Sequence, residues 1–303
     1  MDRRDALRRL AAVAAAPVLG IPGGAAPPGS AAGSRTTAAG RAAPADARAG
    51  GARPIIDRIG LQLYTVRTLM ARDFEATLET VAAIGYREVE FAGYFDRSPA
   101  EVRGALDRAG LDAPSAHVGL DAIRGDWDRT LDAALEIGHR WLIVAWLPAG
   151  ERRTLDDYRR LAEEFDRAGE RARAAGLRFG YHNHDFEFVP VDGRVPYDTL
   201  VAATDPEHVA FELDLYWASR AGRDPLDCFR RHPGRFALVH VKDMDGTAAK
   251  GMTDVGDGVI DFAAILARAA EAGVRHFFVE HDRPAAPIES IRRSYAYLKR
   301  LSA

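Results

Sequence analysis

A single (β/α)8 TIM barrel, an α/β fold, is predicted by three features of this chain. Apolar, β-branched runs recur eight times, helical patterns separate them, and the helices end repeatedly at glycine. Strands alternating with helices imply a parallel sheet, and eight such units in about 245 residues match the size of a closed barrel. The first run is Ile59–Val66. A helical pattern over Phe74–Ile84 follows, with Leu78, Val81 and Ile84 on one face and a stop at Gly85. The run Glu88–Tyr94 leads to a helix over Pro99–Ala109, and Ala113–Val118 to one over Asp126–Ile137. Trp141–Leu147 precedes the longest helix, Leu155–Ala175. Arg178–His184, Val209–Trp217 and Phe236–Asp243 come next. A helix over Asp261–Ala272, the run His276–Asp282 and a helix over Ile288–Leu301 complete the series. Five of the helices stop at glycine, where the chain turns through a left-handed conformation. An open doubly wound sheet is disfavoured, because no Gly-x-Gly-x-x-Gly turn follows the first run.

The first fifty of the 303 residues differ from the rest. Residues 1–20 read as an export signal, with a charged start and an apolar stretch from Leu10 to Leu19. Arg3-Arg4, followed by Leu7 and Arg8, resembles the twin-arginine motif and implies export to the periplasm by that route. The apolar stretch falls short of the ~20 residues that span a bilayer, so no stable membrane anchor is expected. Residues 21–54 are rich in Ala, Gly and Pro and nearly free of large apolar side chains, the composition of a disordered linker. Residues 55–303 form the barrel. The first fifty residues carry a balance of +4, so the remainder carries −7 within a total of −3. An acidic body argues against nucleic acid as a partner, since phosphate contacts need a Lys/Arg surplus. Cys228 is the one cysteine, which excludes an internal disulfide.

In such a barrel the active site lies at the C-terminal ends of the strands. Four consecutive runs end in polar pairs two residues apart: His182 and His184, Glu212 and Asp214, His240 and Lys242, Glu280 and Asp282. Residues two apart on a strand share a face, so each pair points one way. One such pair is ordinary solvation. Four on neighbouring strands, each after a strongly apolar stretch, imply a site. One residue from each gives the set His182, Asp214, His240 and Glu280. Two imidazoles and two carboxylates suit one divalent ion, with Mn2+ favoured over Zn2+, Co2+, Fe2+ or Mg2+, and suit Ca2+ poorly. The other tips offer Gln62, Tyr64, Glu90, His117, Trp146, Glu187 and Trp217. Tyr64, Trp146 and Trp217 offer aromatic faces to a substrate. Gln62, Glu90 and Glu187 are expected as polar substrate contacts.

The stretches Ile59-Gly60-Leu61-Gln62-Leu63-Tyr64-Thr65-Val66-Arg67, Tyr86-Arg87-Glu88-Val89-Glu90, Tyr181-His182-Asn183-His184-Asp185-Phe186-Glu187-Phe188, Leu213-Asp214-Leu215-Tyr216-Trp217, His240-Val241-Lys242-Asp243 and Gly256-Asp257-Gly258-Val259-Ile260-Asp261-Phe262 resemble the sugar phosphate isomerase/epimerase family of xylose isomerase-like barrels. The resemblance covers residue 55 to the end. It implies a small carbohydrate or keto-sugar substrate and one metal ion held by Glu, Asp, His and Glu. Asp214, His240 and Glu280 fall on the last three positions. The first position departs from the pattern: His182 takes the glutamate's place, with Glu187 as the alternative ligand.

That departure removes one partner of the glutamate acid/base pair used by the ketose epimerases that this chain resembles. It also makes the site less negative, so a bound ion is a stronger Lewis acid toward a carbonyl. A base then takes the proton next to that carbonyl, and epimerisation, isomerisation or elimination follows. His184, His117 and Lys242 are the candidate bases, Lys242 through a lowered pKa, and Glu280 is a ligand that also carries protons. An inosose-dehydratase-like lyase shares this chemistry. A sugar-binding barrel without catalysis predicts binding without turnover, and a nuclease of the endonuclease IV branch conflicts with the acidic body.

Overall fold

The computed structural model describes Ile56 and residues 58–302. The export signal expected over 1–20 and the linker expected over 21–54 lie outside the described residues. Eight parallel strands close into a barrel: Gly60–Gln62, Glu88–Phe91, Asp112–Val118, Trp141–Val144, Arg178–His182, Val209–Asp214, Phe236–Val241 and His276–Val279. Each pairs with its neighbours in sequence, and the first also pairs with the eighth, Gly60 opposite Phe278 and Leu61 opposite Val279. Closure leaves this sheet no unpaired edge. Among the described residues, no helix is long and apolar enough to cross a membrane.

All strands but the third are shorter than their apolar runs predict, and at several ends polar side chains turn the backbone. Gln62 Oε1 accepts from Tyr64 N, and Leu63–Val66 is a 3-10 turn rather than strand. Asp214 Oδ1 accepts from Trp217 N and caps the helix Leu215–Arg220, so Trp217 is helical. The fifth strand stops at His182, and Phe186–Phe188 is again a 3-10 turn. Beyond the seventh strand, Asp243–Met244 pairs antiparallel with Met252–Thr253. Buried Asp243 accepts from the backbone N–H groups of Gly256, Gly258 and Ile260 and so gathers that loop. The six helices read from the sequence are present, within a residue at each end. Ser98 with Glu101 and Thr154 with Asp157 form capping boxes at two of them. Further helices, Leu120–Arg124, Pro196–Ala203, Leu215–Arg220 and Pro225–Arg231, carry too few turns for a periodic signal.

Alternation along each strand sorts the side chains. Val89, Val118, Tyr181, Leu213 and Val241 belong to the apolar layer between sheet and helices, and none exposes surface. The opposite face of the sheet lines the barrel. Its floor is a small separate cluster of Ile143, Leu238 and Phe278. Two glycines make room there. A Cβ on Gly60 would lie 2.5 Å from Phe278 Cδ1, and one on Gly180 would lie 2.8 Å from Ile143 Cδ1 and 3.0 Å from Ala210 O. Gly180→Ala is therefore expected to overpack the floor and cost about 1–3 kcal/mol in thermal or urea denaturation. An unchanged midpoint would show that the floor yields freely.

Candidate metal centre

Above the floor the barrel holds two polar layers, and His240 belongs to both. The upper layer is His182, Asp214, His240 and Glu280, each offering one ligand atom, all within 4.8 Å of one another and all buried. The fold sets each pose. Asp214 spends Oδ1 on its helix cap, which leaves Oδ2 facing inward, 3.2 Å from His182 Nε2 and 3.0 Å from Lys242 Nζ. Asn183 Oδ1 accepts from Asp214 N and ties the fifth strand's end to the sixth. His182 Nδ1 lies 3.3 Å from the Ala145 carbonyl and Nε2 lies 3.2 Å from Asp214 Oδ2. Burial first, and then His240, push His182 down to about 4, so the ring is neutral. With its proton on Nδ1, the ring would turn the Nε2 lone pair toward the carboxylate oxygen, and a cation between them would satisfy both.

His240 and Glu280 make a similar case. Nδ1 stands 2.7 Å from Glu280 Oε2, yet neither atom meets the geometry of a hydrogen bond. Burial alone would raise Asp214 and Glu280, but Lys242 above all, with the imidazoles, holds both well below the usual carboxylate range. Burial would lower His240, and the carboxylates of Glu212 and Glu280 overcome it and hold the ring well above its ordinary value. The centre therefore attracts positive charge, from a proton or from an ion. Buried, converging, incompletely hydrogen-bonded N2O2 donors fit a divalent ion.

The lower layer is Glu90, His117, Glu212 and His240, likewise within 4.8 Å of one another and buried. His240 Nε2 lies 2.7 Å from Glu90 Oε2, and His117 Nε2 lies 2.8 Å from Glu212 Oε2. Glu90 also accepts from Gln62 Nε2 at 2.7 Å and from Ser115 Oγ at 2.5 Å. Gln62, expected with Glu90 as a substrate contact, donates to Glu90 within this lower layer, and both side chains are buried. His117 is tied to Glu212 in the same layer. Burial would lower it, but Glu90 and then Glu212 raise it, which suits a charged partner and not a free base. Glu212, noted in the sequence only as the same-face neighbour of Asp214, is the fourth member of this layer. Its position two residues before the ligand was the available signal.

The rim holds the remaining residues. Tyr64, Trp146 and Trp217 are each partly exposed there. His184 is half-buried, but its Nδ1 is shut off from solvent and unpartnered, and the ring packs face to face on Phe186 at 5.5 Å, with Trp217 at 5.3 Å. Burial, then His182 and Lys242, hold it well below the ordinary histidine value. The expected lowering of Lys242 assumes an ion beside it, and without one the direction is reversed. Burial does push it down, but Asp214, Asp282 and Glu280 outweigh that and hold it well above the usual lysine range. Its Nζ lies 2.8–3.0 Å from all three carboxylates, so in the ion-free protein it is an ammonium. Glu187, the alternative ligand and expected substrate contact, lies outside both layers. Its oxygens accept from Tyr181 Oη and from His184 N, so it shapes the His184 turn instead. Burial first raises it from 4.5 to about 7, against those two donors. A carboxyl raised on folding gives stability that is complete below about pH 4.5 and is lost as pH rises through 7. Glu187→Gln is expected to flatten the decline in melting temperature across that window; an unchanged slope would mean that another group causes it.

A family model described as a xylose isomerase-like TIM barrel matches residues 78–301. The inosose dehydratase of Lacticaseibacillus casei is 26% identical over 265 residues, which cover 74% of this chain and 88% of that protein. The rhizopine catabolism protein MocC of Rhizobium meliloti is 26% identical over 268 residues, 76% of this chain and 82% of its own length. A sugar phosphate isomerase/epimerase from Parabacteroides distasonis superposes with a TM-score of 0.71 at 28% identity, over 86% of this chain and 96% of that one.

Proposed function

The chain belongs to the xylose isomerase-like TIM barrel family, and from that premise we propose that it is a divalent-metal-dependent enzyme that removes the proton next to the carbonyl of a keto-sugar or keto-cyclitol. One observation carries the reading: a neutral His184 with an unpartnered Nδ1 packs beside His182 of the four-residue cluster, their ring centroids 5.1 Å apart. An ion held by His182, Asp214, His240 and Glu280 would polarise the carbonyl as a Lewis acid, and the N2O2 set suits a first-row divalent ion such as Mn2+. His184 Nδ1 accepts the proton, and its burial keeps it unprotonated beforehand. Trp217 and Phe186 pack on His184 and limit the water that reaches its ring. Lys242 holds a proton at Nζ, 5.9 Å from the Trp217 ring.

A neutral base and a protonated acid at one rim favour elimination of a β-hydroxyl. His184 takes the α-proton, and Lys242 delivers one to the departing hydroxyl, which leaves as water. Two-face epimerisation lacks the second metal-bound glutamate, whose position His182 fills. The likeness to inosose dehydratases supports the same outcome. The test is a panel of keto-sugars and inososes assayed with Mn2+, where elimination gives an ultraviolet-absorbing enone and epimerisation does not. His184→Gln is expected to lower turnover by about 10^2–10^4 with Mn2+ affinity unchanged. Full activity in that variant would remove His184 from the mechanism. A protein that holds no divalent ion, and whose stability is unchanged in His240→Ala, would sink the proposal.

A further inference from the structure

The lower layer contains a buried carboxylate that collects three donors. Glu90 exposes no surface, and both of its oxygens accept, Oε1 from Ser115 Oγ and Oε2 from Gln62 Nε2, which the single carbonyl oxygen of a glutamine could not serve together. Oε2 also takes the third donor, His240 Nε2 at 2.7 Å. His240 reaches the upper site through its other nitrogen, Nδ1. An imidazole that gives Nε2–H to a carboxylate is fixed in one tautomer and one ring orientation, and its Nδ1 becomes the more basic donor.

We propose that Glu90 is the positioning residue for His240: held between Gln62 and Ser115, it accepts the Nε2 proton and thereby aims Nδ1 at the ion site. The inference rests on the function proposed above, since it concerns how that site is prepared. Three features make Glu90 suited to the task. Gln62 Oε1 is itself anchored on Tyr64 N, so the residue that holds Glu90 is pinned by the turn ending the first strand. Ser115 lies opposite Glu90 in the register of the second and third strands, so the hydroxyl reaches the carboxylate straight across the sheet. His117 Nε2 lies 3.2 Å from Glu90 Oε2 and 2.8 Å from Glu212 Oε2, so an imidazole shares the two carboxylates with His240. The chain thus fixes an ion ligand on the seventh strand from the second strand, across the barrel.

The experiment compares the whole protein with Glu90→Gln and Glu90→Ala by two readouts. The first is Mn2+ affinity by calorimetry. Glu90→Ala is expected to weaken it about 10–100-fold, the usual effect of removing a carboxylate behind a ligating histidine, and Glu90→Gln to recover part of the loss because its carbonyl still accepts Nε2–H. The second is the 15N-coupled imidazole proton spectrum of the ion-free protein. There the Nε2 proton of His240 is expected far downfield, assigned by its absence in His240→Gln, and lost in Glu90→Ala. Affinity unchanged within twofold in a folded Glu90→Ala protein would overturn the proposal. So would equal losses in Ala and Gln, which would mark a packing role. If the unaltered protein binds no Mn2+, the proposed function fails. The proton resonance then still decides whether Glu90 holds His240: loss of the signal in Glu90→Ala supports the contact, and its persistence overturns it.

Discussion

Glu280→Gln is expected to lose tight Mn2+ binding and about 10^3-fold in turnover, the upper range for removing one preorganised charged contact from a reacting centre. Glu280 follows the eighth strand, and its Oε2 converges with Asp214 Oδ2 on His240 Nδ1, at 2.7 and 3.8 Å. The substitution keeps the shape and removes the charge. Folding should survive, because Lys242 retains Asp214 and Asp282 as partners. Calorimetry with Mn2+ and the panel assay measure the two effects separately. Loss of affinity with turnover intact at saturating Mn2+ would mean that Glu280 binds without assisting the reaction. Retention of both would remove it from the site.

Lys242→Met carries the second large effect, and its sign depends on the ion. Lys242 is buried, with its ammonium 2.8–3.0 Å from Glu280, Asp214 and Asp282. Removing one partner of a buried ionic cluster leaves charge uncompensated and costs about 3–5 kcal/mol. The ion-free variant should melt well below the unaltered protein. Saturating Mn2+ should restore much of the difference, because a divalent ion supplies the missing charge to Asp214 and Glu280 and stabilises the folded state by mass action. Turnover should stay low even so, since the acid for the leaving hydroxyl is gone. Differential scanning calorimetry with and without Mn2+ checks the first part. Equal destabilisation in both conditions would show that ammonium and ion do not act on the same carboxylates.

The barrel was legible in the sequence because its signals are local. Each strand buries both faces, so each reads as an apolar run, and glycines such as Gly110 and Gly273 mark helix ends with φ of 65° and 92°. The convergence of His182, Asp214, His240 and Glu280 was prepared by parity, which marked four same-face pairs, since closure brings the same ends of neighbouring strands together; parity does not choose between the members of a pair. Parity carries no depth. Glu90, Gln62 and His117 face the same lumen as the upper layer but lie in the layer beneath it, and a one-dimensional pattern has no measure of height along the barrel axis. Nor does it count the carboxylates around Lys242, whose expected low pKa assumes one neighbouring ion. Three carboxylates from the ends of two strands surround it, and their sum reverses the sign. Strand ends were overread for a related reason. The side chains of Gln62 and Asp214 cap the turns that follow them, and that choice between strand and turn is made by a hydrogen bond that apolar patterning does not record.

The central claim is removal of a proton from the carbon next to a carbonyl with the help of a bound ion. It is tested most directly with a substrate from the panel labelled with deuterium at that carbon, turned over by the Mn2+-loaded protein. The account predicts that the label leaves its carbon in the product and that chelation stops the reaction until Mn2+ is returned. Product that keeps the label on its original carbon, or turnover indifferent to chelation, would contradict it.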